Sequence, residues 1–252
     1  MTDADSQDDK AHAEIGIVSA LPLEMSPFLE RCERVRKYTG GAYTFRGGVY
    51  DGIRIVIGES GAGFANARRV TESLIDAHTP DWILSCGFSG ALLDEMKIGH
   101  IVVPDDIVDM HGQEYRVDLK MPVDPERGLF GGRILTADEI VRLVDDKKAL
   151  AETYGAVAVD LESLSVAKVC AEQKMKFLAV RAISDDLSQD LPKEILSIFG
   201  STGTVRVGAA LGAVWKRPGS AKDMWHLRNN AKLAAERLAD FLDGVVRQLA
   251  GK

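Results

Sequence analysis

"AVAVDLESLSVAKV", residues 156–169, decides how the chain is read. Ala156 to Val159 is a small, apolar run of the kind that fills a buried strand. Leu164, Val166, Ala167 and Val169 then recur as the inner face of a helix would. Asp160 and Glu162 stand at the junction, two carboxylates where the pattern asks for apolar side chains. Burying a carboxylate is costly unless it is paired, hydrogen-bonded or protonated. The pair therefore marks a capped turn, a site, or both.

The same strand-to-helix alternation extends in both directions. "EIGIVSA" (14–20), "IRIVIG" (53–58), "WILSCG" (82–87), "HIVVP" (100–104), "GRILT" (132–136) and "FLAVRAIS" (177–184) read as further buried strands. Helical periodicity falls on 64–78, 138–153 and 162–174, and again on 221–249, where Ala234, Leu238, Phe241, Leu242, Val245 and Leu249 share one face. Alternating β and α segments predict an α/β fold, a three-layer α/β/α sandwich around a mixed, largely parallel sheet. Residues 1–13, "MTDADSQDDKAHA", read as a disordered acidic leader, and 14–252 as a single domain.

Composition narrows the function classes. The chain has 252 residues, 46% hydrophobic and 27% charged, with a net charge of −7. An acidic balance argues against nucleic acid as a partner. No apolar run approaches the roughly 18 residues that span a bilayer. Cys32, Cys86 and Cys170 are far apart, without CxxC or Cys/His pairing, which fits reduced thiols in the cytoplasm. The five histidines show no ligand spacing, so neither a metal nor a cofactor is expected. His111 is the one histidine placed beyond a strand end.

In an open α/β sheet, ligands gather at the carboxyl ends of the strands. Those ends carry Glu24 in "SALPLE", Ser60 and a glycine turn in "SGAGFANA", the small-residue turn "CGFSGA", then Asp160 with Glu162, and last Ser184, Asp185 and Asp186. Each has a bland reading. The glycine turn could serve packing, Asp185 could cap a following helix, and Glu24 could complement a helix dipole. Capping remains the preferred role for Asp160. Glu162, set between apolar positions, is harder to explain that way, and the joint placement of the acids favours a site.

The ordered motifs "IGIVSALPLE", "SGAGFANA", "GFSGALLDEMKIGHIVVP", "AVAVDLESLSVAKVC" and "FLAVRAISDD" resemble the nucleoside phosphorylase and nucleosidase superfamily over about 14–186. Within it the chain is similar to the methylthioadenosine/S-adenosylhomocysteine nucleosidases. "DLSQDLPKEI" through "WKRPGSAKDMWHL" is more similar to the hopanoid-associated phosphorylase-like group. The resemblance implies hydrolysis of the N-glycosidic bond of a purine nucleoside of the 5′-substituted adenosine type. Anionic groups near the sugar would stabilise an oxocarbenium-like transition state, and an acid near the purine would assist departure.

Carried over residue by residue, the resemblance implies three roles. Asp185 donates to purine N7, Glu162 grips the ribose 2′- and 3′-hydroxyls, and Glu24 activates water. It implies substrate contacts at Leu161, Ser60, Gly61, Gly63, Gly87, Phe88, Ser89 and Ser184. Phe88 stands where a small hydroxyl is usual, and Ile140 takes the place of a base-stacking aromatic. A homodimer is the family expectation.

Phosphorolysis is the alternative. The first and third glycine-rich turns carry no arginine, which favours water over phosphate, while Arg46 and Arg68 keep phosphate open as a co-substrate. A nucleoside-binding protein without catalysis is the alternative of another class. The segment 187–220 reads as a lid over the ribose 5′ side, with Leu187, Leu191, Ile195, Ile198 and Phe199 as its apolar wall and a short helix around 192–199, or as packing on the sheet or a dimer contact.

Overall fold

A computed structural model describes residues 12–196 and 218–251. The strands are β1 (Ile15–Ser19), β2 (Glu33–Gly40), β3 (Tyr43–Tyr50), β4 (Ile53–Glu59), β5 (Trp82–Ala91), β6 (Ile101–Val102), β7 (Asp106–Asp109), β8 (Glu114–Arg116), β9 (Leu129–Phe130), β10 (Arg133–Thr136), β11 (Ala158–Asp160) and β12 (Lys176–Asp185). The helices are α1 (Pro22–Leu29), α2 (Phe64–His78), α3 (Val144–Tyr154), α4 (Ser163–Glu172) and α5 (Pro218–Leu249). None of the described helices is long and apolar enough to cross a membrane.

All twelve strands join one mixed sheet. Its centre is parallel: β4, β1, β5 and β12 run side by side, with Ile15 to Val18 opposite Trp82 to Ser85. These strands are near-continuous apolar runs because helices cover both faces. One layer is the pair α1 and α5, with α5 against β12 and β5, and the other is α2 against α4. The α/β sandwich read from the sequence is the fold observed.

β5 positions the site. Lys176 to Ile183 of β12 pair with Trp82 to Ser89 along one edge of β5. The other edge is shared. β1 pairs with it as far as Ser85, and β11, running antiparallel, joins only at Gly90 and Ala91. Cys86 to Ser89 therefore lie in a fork between β1 and β11. Because β11 runs against β5, its carboxyl end delivers Asp160 and Glu162 back toward that fork.

Four expectations change. The hairpin β2–β3 is absent from the reading because β2, "ERVRKYTG", is exposed from Glu33 to Thr39 and shows no apolar alternation. α3 begins at Val144 instead of 138, with Leu143 extended at its cap. α5 begins at Pro218, a residue tolerated in a first turn. Residues 1–11 of the expected leader lie outside the described residues, but Ala13 is 5% exposed and its N–H donates to the His78 carbonyl at 3.1 Å, so it belongs to the fold.

Candidate active site

A crevice of about 600 Å³ opens at the fork. Glu24, Leu161, Glu162, Phe88, Ser89, Ser184 and Asp185 all line it, together with Asp160 and Ile140. Ser60, Gly61, Gly63 and Gly87 do not line it. Gly63 and Gly87 stand behind Glu162 and Glu24, while the Ser60 and Gly61 amides bond to the Ser19 and Ala20 carbonyls at the end of β1.

Glu24 sits in the first turn of α1 and is 4% exposed. Its Oε2 accepts from Ser19 Oγ at 2.7 Å and from the Leu21 N–H at 2.8 Å. Oε1 accepts from the Phe88 N–H at 2.9 Å, an amide of β5 that the fork leaves without a strand partner. One carboxylate thus closes the first turn of α1 and also lines the crevice. Burial pushes its pKa up, against the pull of those three hydrogen bonds and of the Arg181 guanidinium.

Glu162, 8% exposed, follows β11 immediately before α4. Its Oε1 accepts from the Gly63 N–H at 2.7 Å. Gly63 has φ of +101° at the cap of α2, a conformation that L side chains rarely adopt. The glycine turn after β4 therefore presents its amide to a carboxylate of the protein. Burial, then the neighbouring Asp160 carboxylate, pushes the Glu162 pKa up to about 8, with Arg181 and the Gly63 amide opposing.

Asp185 is aimed by an irregularity in β12. Ile183 pairs with Ser89 and Asp185 with Gly90, so Ser184 is an extra residue that redirects the strand end. The Ser184 hydroxyl donates to Asp185 Oδ1 at 2.8 Å, and the Lys147 ammonium donates to Oδ2. Both β5 glycines in "GFSG" make room for these groups. A methyl on Gly87 would lie 2.7 Å from Glu24 Oε1 and 2.9 Å from Arg181 Nη1. One on Gly90 would lie 2.9 Å from Asp185 Oδ2.

Asp160 caps a helix, as the sequence reading has it, and does more. It does accept from the Ser163 N–H at 3.1 Å, at the start of α4. Its Oδ2 also accepts from Arg181 Nε at 2.6 Å and its Oδ1 from Thr136 Oγ1 at 2.8 Å. Arg181 is 2% exposed, and its Nη2 donates to Ser85 Oγ at 2.8 Å. Arg181 and Lys147 are the residues that sequence reasoning missed. The signal for the first was an arginine inside "FLAVRAIS"; for the second, nothing distinguished "DDKKAL" from an exposed helical face.

Other candidates lie elsewhere. Arg46 donates to Glu59, and Arg68 pairs with Glu72 and Glu172, all outside the crevice. His111 is exposed, 3.1 Å from Asp138. Burial pushes the Cys86 and Cys170 thiols up to about 12, which leaves them inert as nucleophiles at neutral pH. Of the expected lid wall, Leu191 and Ile195 are buried and line the crevice, Leu187 does not, and Ile198 and Phe199 lie outside the described residues, as does part of the expected helix around 192–199.

The sequence model of the Phosphorylase superfamily matches residues 14–130 and 123–247. The chain belongs to this superfamily. It is similar to the 5′-methylthioadenosine/S-adenosylhomocysteine nucleosidase of Shewanella loihica, 24% identical over 75% of this chain and 93% of that protein. The nucleosidase of the same name from Staphylococcus aureus (strain JH9) is 26% identical over 68% of this chain and 86% of its own length. Among solved superfamily folds, the nucleosidase of Neisseria meningitidis in complex with methylthio-immucillin-A superposes with a TM-score of 0.68 at 19% identity, covering 93% of this chain and 98% of that one. The futalosine hydrolase of Helicobacter pylori gives 0.63 at 22% identity, covering 94% and 99%.

Proposed function

We propose that the protein hydrolyses the N-glycosidic bond of a purine nucleoside of the 5′-substituted adenosine type. The observation that carries this reading is the convergence of Glu24, Glu162 and Asp185 on one crevice. The nucleosidase names of the relatives support the substrate class. Breaking the bond leaves positive charge on the sugar and negative charge on the base. Carboxylates at the inner wall favour the first, and a proton delivered at N7 by Asp185 neutralises the second.

Glu162 is assigned to the ribose diol. Its carboxylate has acceptor sites beyond the one that Gly63 fills. Glu24 is assigned to the attacking water, whose proton it accepts. Water is preferred to phosphate because Glu24 and Glu162 stand at the inner wall, and Arg181, buried behind them, is already engaged by Asp160 and Ser85. Anions so placed repel phosphate. Leu161, Ile140 and Phe88 supply the apolar surface for the base and sugar.

The proposal includes a homodimer in the cytoplasm. The three cysteines, all free, support a reducing compartment, and sedimentation measures the assembly directly. The function is tested by release of free base from 5′-methylthioadenosine, S-adenosylhomocysteine, adenosine and inosine. Turnover of at least one 5′-substituted adenosine is expected. Failure to release base from any of the four overturns the reading in favour of a binding protein.

A further inference from the structure

α3 is an unusual helix, because the residue it buries is a lysine. Lys147 is 0% exposed, while its helix neighbours Asp145, Asp146 and Lys148 are not buried. It lies in the first turn, where the helix dipole opposes positive charge. A buried ammonium is costly without a partner, and an apolar side chain would fill such a position at no electrostatic cost. The partner is Asp185, whose Oδ2 accepts from the ammonium; the Asp186 carbonyl lies 3.5 Å away. Gly90 permits the approach, since a methyl there would sit 3.4 Å from Lys147 Cε as well as against Asp185. Lys147 does not itself line the crevice.

We propose that Lys147 is a positioning residue for the reaction, holding Asp185 toward the crevice and resupplying the proton that Asp185 hands to the departing base. This rests on the role given to Asp185 above. As the C1′–N9 bond breaks, its electron pair passes to the purine and N7 takes a proton from Asp185. That proton originates on Lys147: it crosses to Oδ2 as Asp185 hands it on to N7, which leaves Lys147 a neutral amine beside the Asp185 carboxylate. Water forms the new C1′–O bond and its proton goes to Glu24. After release of products, Glu24 gives that proton to solvent and Lys147 regains one, restoring the starting state.

The test is a double-mutant cycle on the nucleoside of the panel that turns over fastest. Lys147→Met is expected to lower kcat by about 10²-fold, the scale of one acid-base contribution, with KM within about three-fold. Lys147→Arg, which keeps a cation beside Asp185 but does not give up its proton, is expected to leave most of that loss in place. In an Asp185→Asn background Lys147→Met should cost less than about two-fold more, because its effect passes through Asp185. If Lys147→Met does not fold, Lys147→Gln gives the same comparison, keeping a donor for Asp185 but no proton to transfer. An undiminished kcat in Lys147→Met, or an equal loss in both backgrounds, overturns the proposal. A fully active Asp185→Asn enzyme would instead remove Asp185 from the reaction, and the relay with it.

Discussion

Arg181 Nε donates to Asp160 Oδ2 at 2.6 Å, in an ion pair whose two side chains are 2% and 0% exposed. The pair crosses from β12 to the end of β11 and underlies the acids on either side of it. Removing one member of a buried pair leaves an uncompensated charge, which costs about 3–5 kcal/mol. Asp160→Asn is therefore expected to lose about that much stability in urea unfolding. A loss of about 1 kcal/mol, the scale of a weakened helix cap, would show that the ion pair contributes little.

Glu162 trades stability for function. A carboxyl whose folded pKa is raised to about 8 binds a proton in the folded state that the unfolded chain has already lost. Stability therefore falls as pH rises from the ordinary glutamate range through about 8. Glu162→Gln removes the titrating group yet still has an oxygen to accept from Gly63. Its melting temperature should exceed that of the unaltered protein, by a margin that widens between acidic pH and about 8. Equal margins at all pH values would contradict the origin given for that shift.

The same residue sets an activity profile. The kcat/KM of the unaltered protein should rise with pH through the titration of Glu162, raised by burial to about 8, because it is needed as a carboxylate before the nucleoside binds. Glu162→Gln should flatten that limb and erase the disadvantage of 2′-deoxy nucleosides. Persistent 2′-deoxy discrimination in the variant would remove Glu162 from the diol.

Asp185→Asn is expected to lower turnover by about 10²–10⁴-fold with an unchanged near-ultraviolet circular dichroism spectrum. Near-normal turnover by the folded variant would eliminate the acid.

Gly87→Ala places a methyl 2.7 Å from Glu24 Oε1 and 2.9 Å from Arg181 Nη1, so one of the two must move. Turnover should drop more than tenfold, the usual consequence of displacing a group near the reacting atoms by a fraction of an ångström. Full activity would mean that the placement of Glu24 is not critical.

Much of this arrangement is legible in the sequence. α2 spans Phe64–His78, the same residues its apolar period picks out, because Ala67, Val70, Leu74 and Ile75 are buried, with Thr71 beside them, while Arg69, Asp76 and Ala77 are exposed. Buried strands such as β1 and β4 read directly from their apolar runs. Glu24, Glu162 and Asp185 were legible because acids at strand ends break an apolar pattern. What stayed hidden depends on contacts across the chain. Arg181 and Asp160 are 21 residues apart and Lys147 and Asp185 are 38 apart, and no local pattern specifies such pairs. The fork in β5 was equally out of reach, since "WILSCGFSGA" carries no mark of a strand that changes neighbours at Ser85.

The central claim is that water, activated beside Glu24, attacks the sugar. It is tested most directly by following base release with and without inorganic phosphate while phosphorus NMR monitors the sugar product. The account predicts equal rates in both conditions, free 5′-substituted ribose as the product and no sugar 1-phosphate signal. A rate that requires phosphate, with a sugar 1-phosphate accumulating alongside the base, would contradict it.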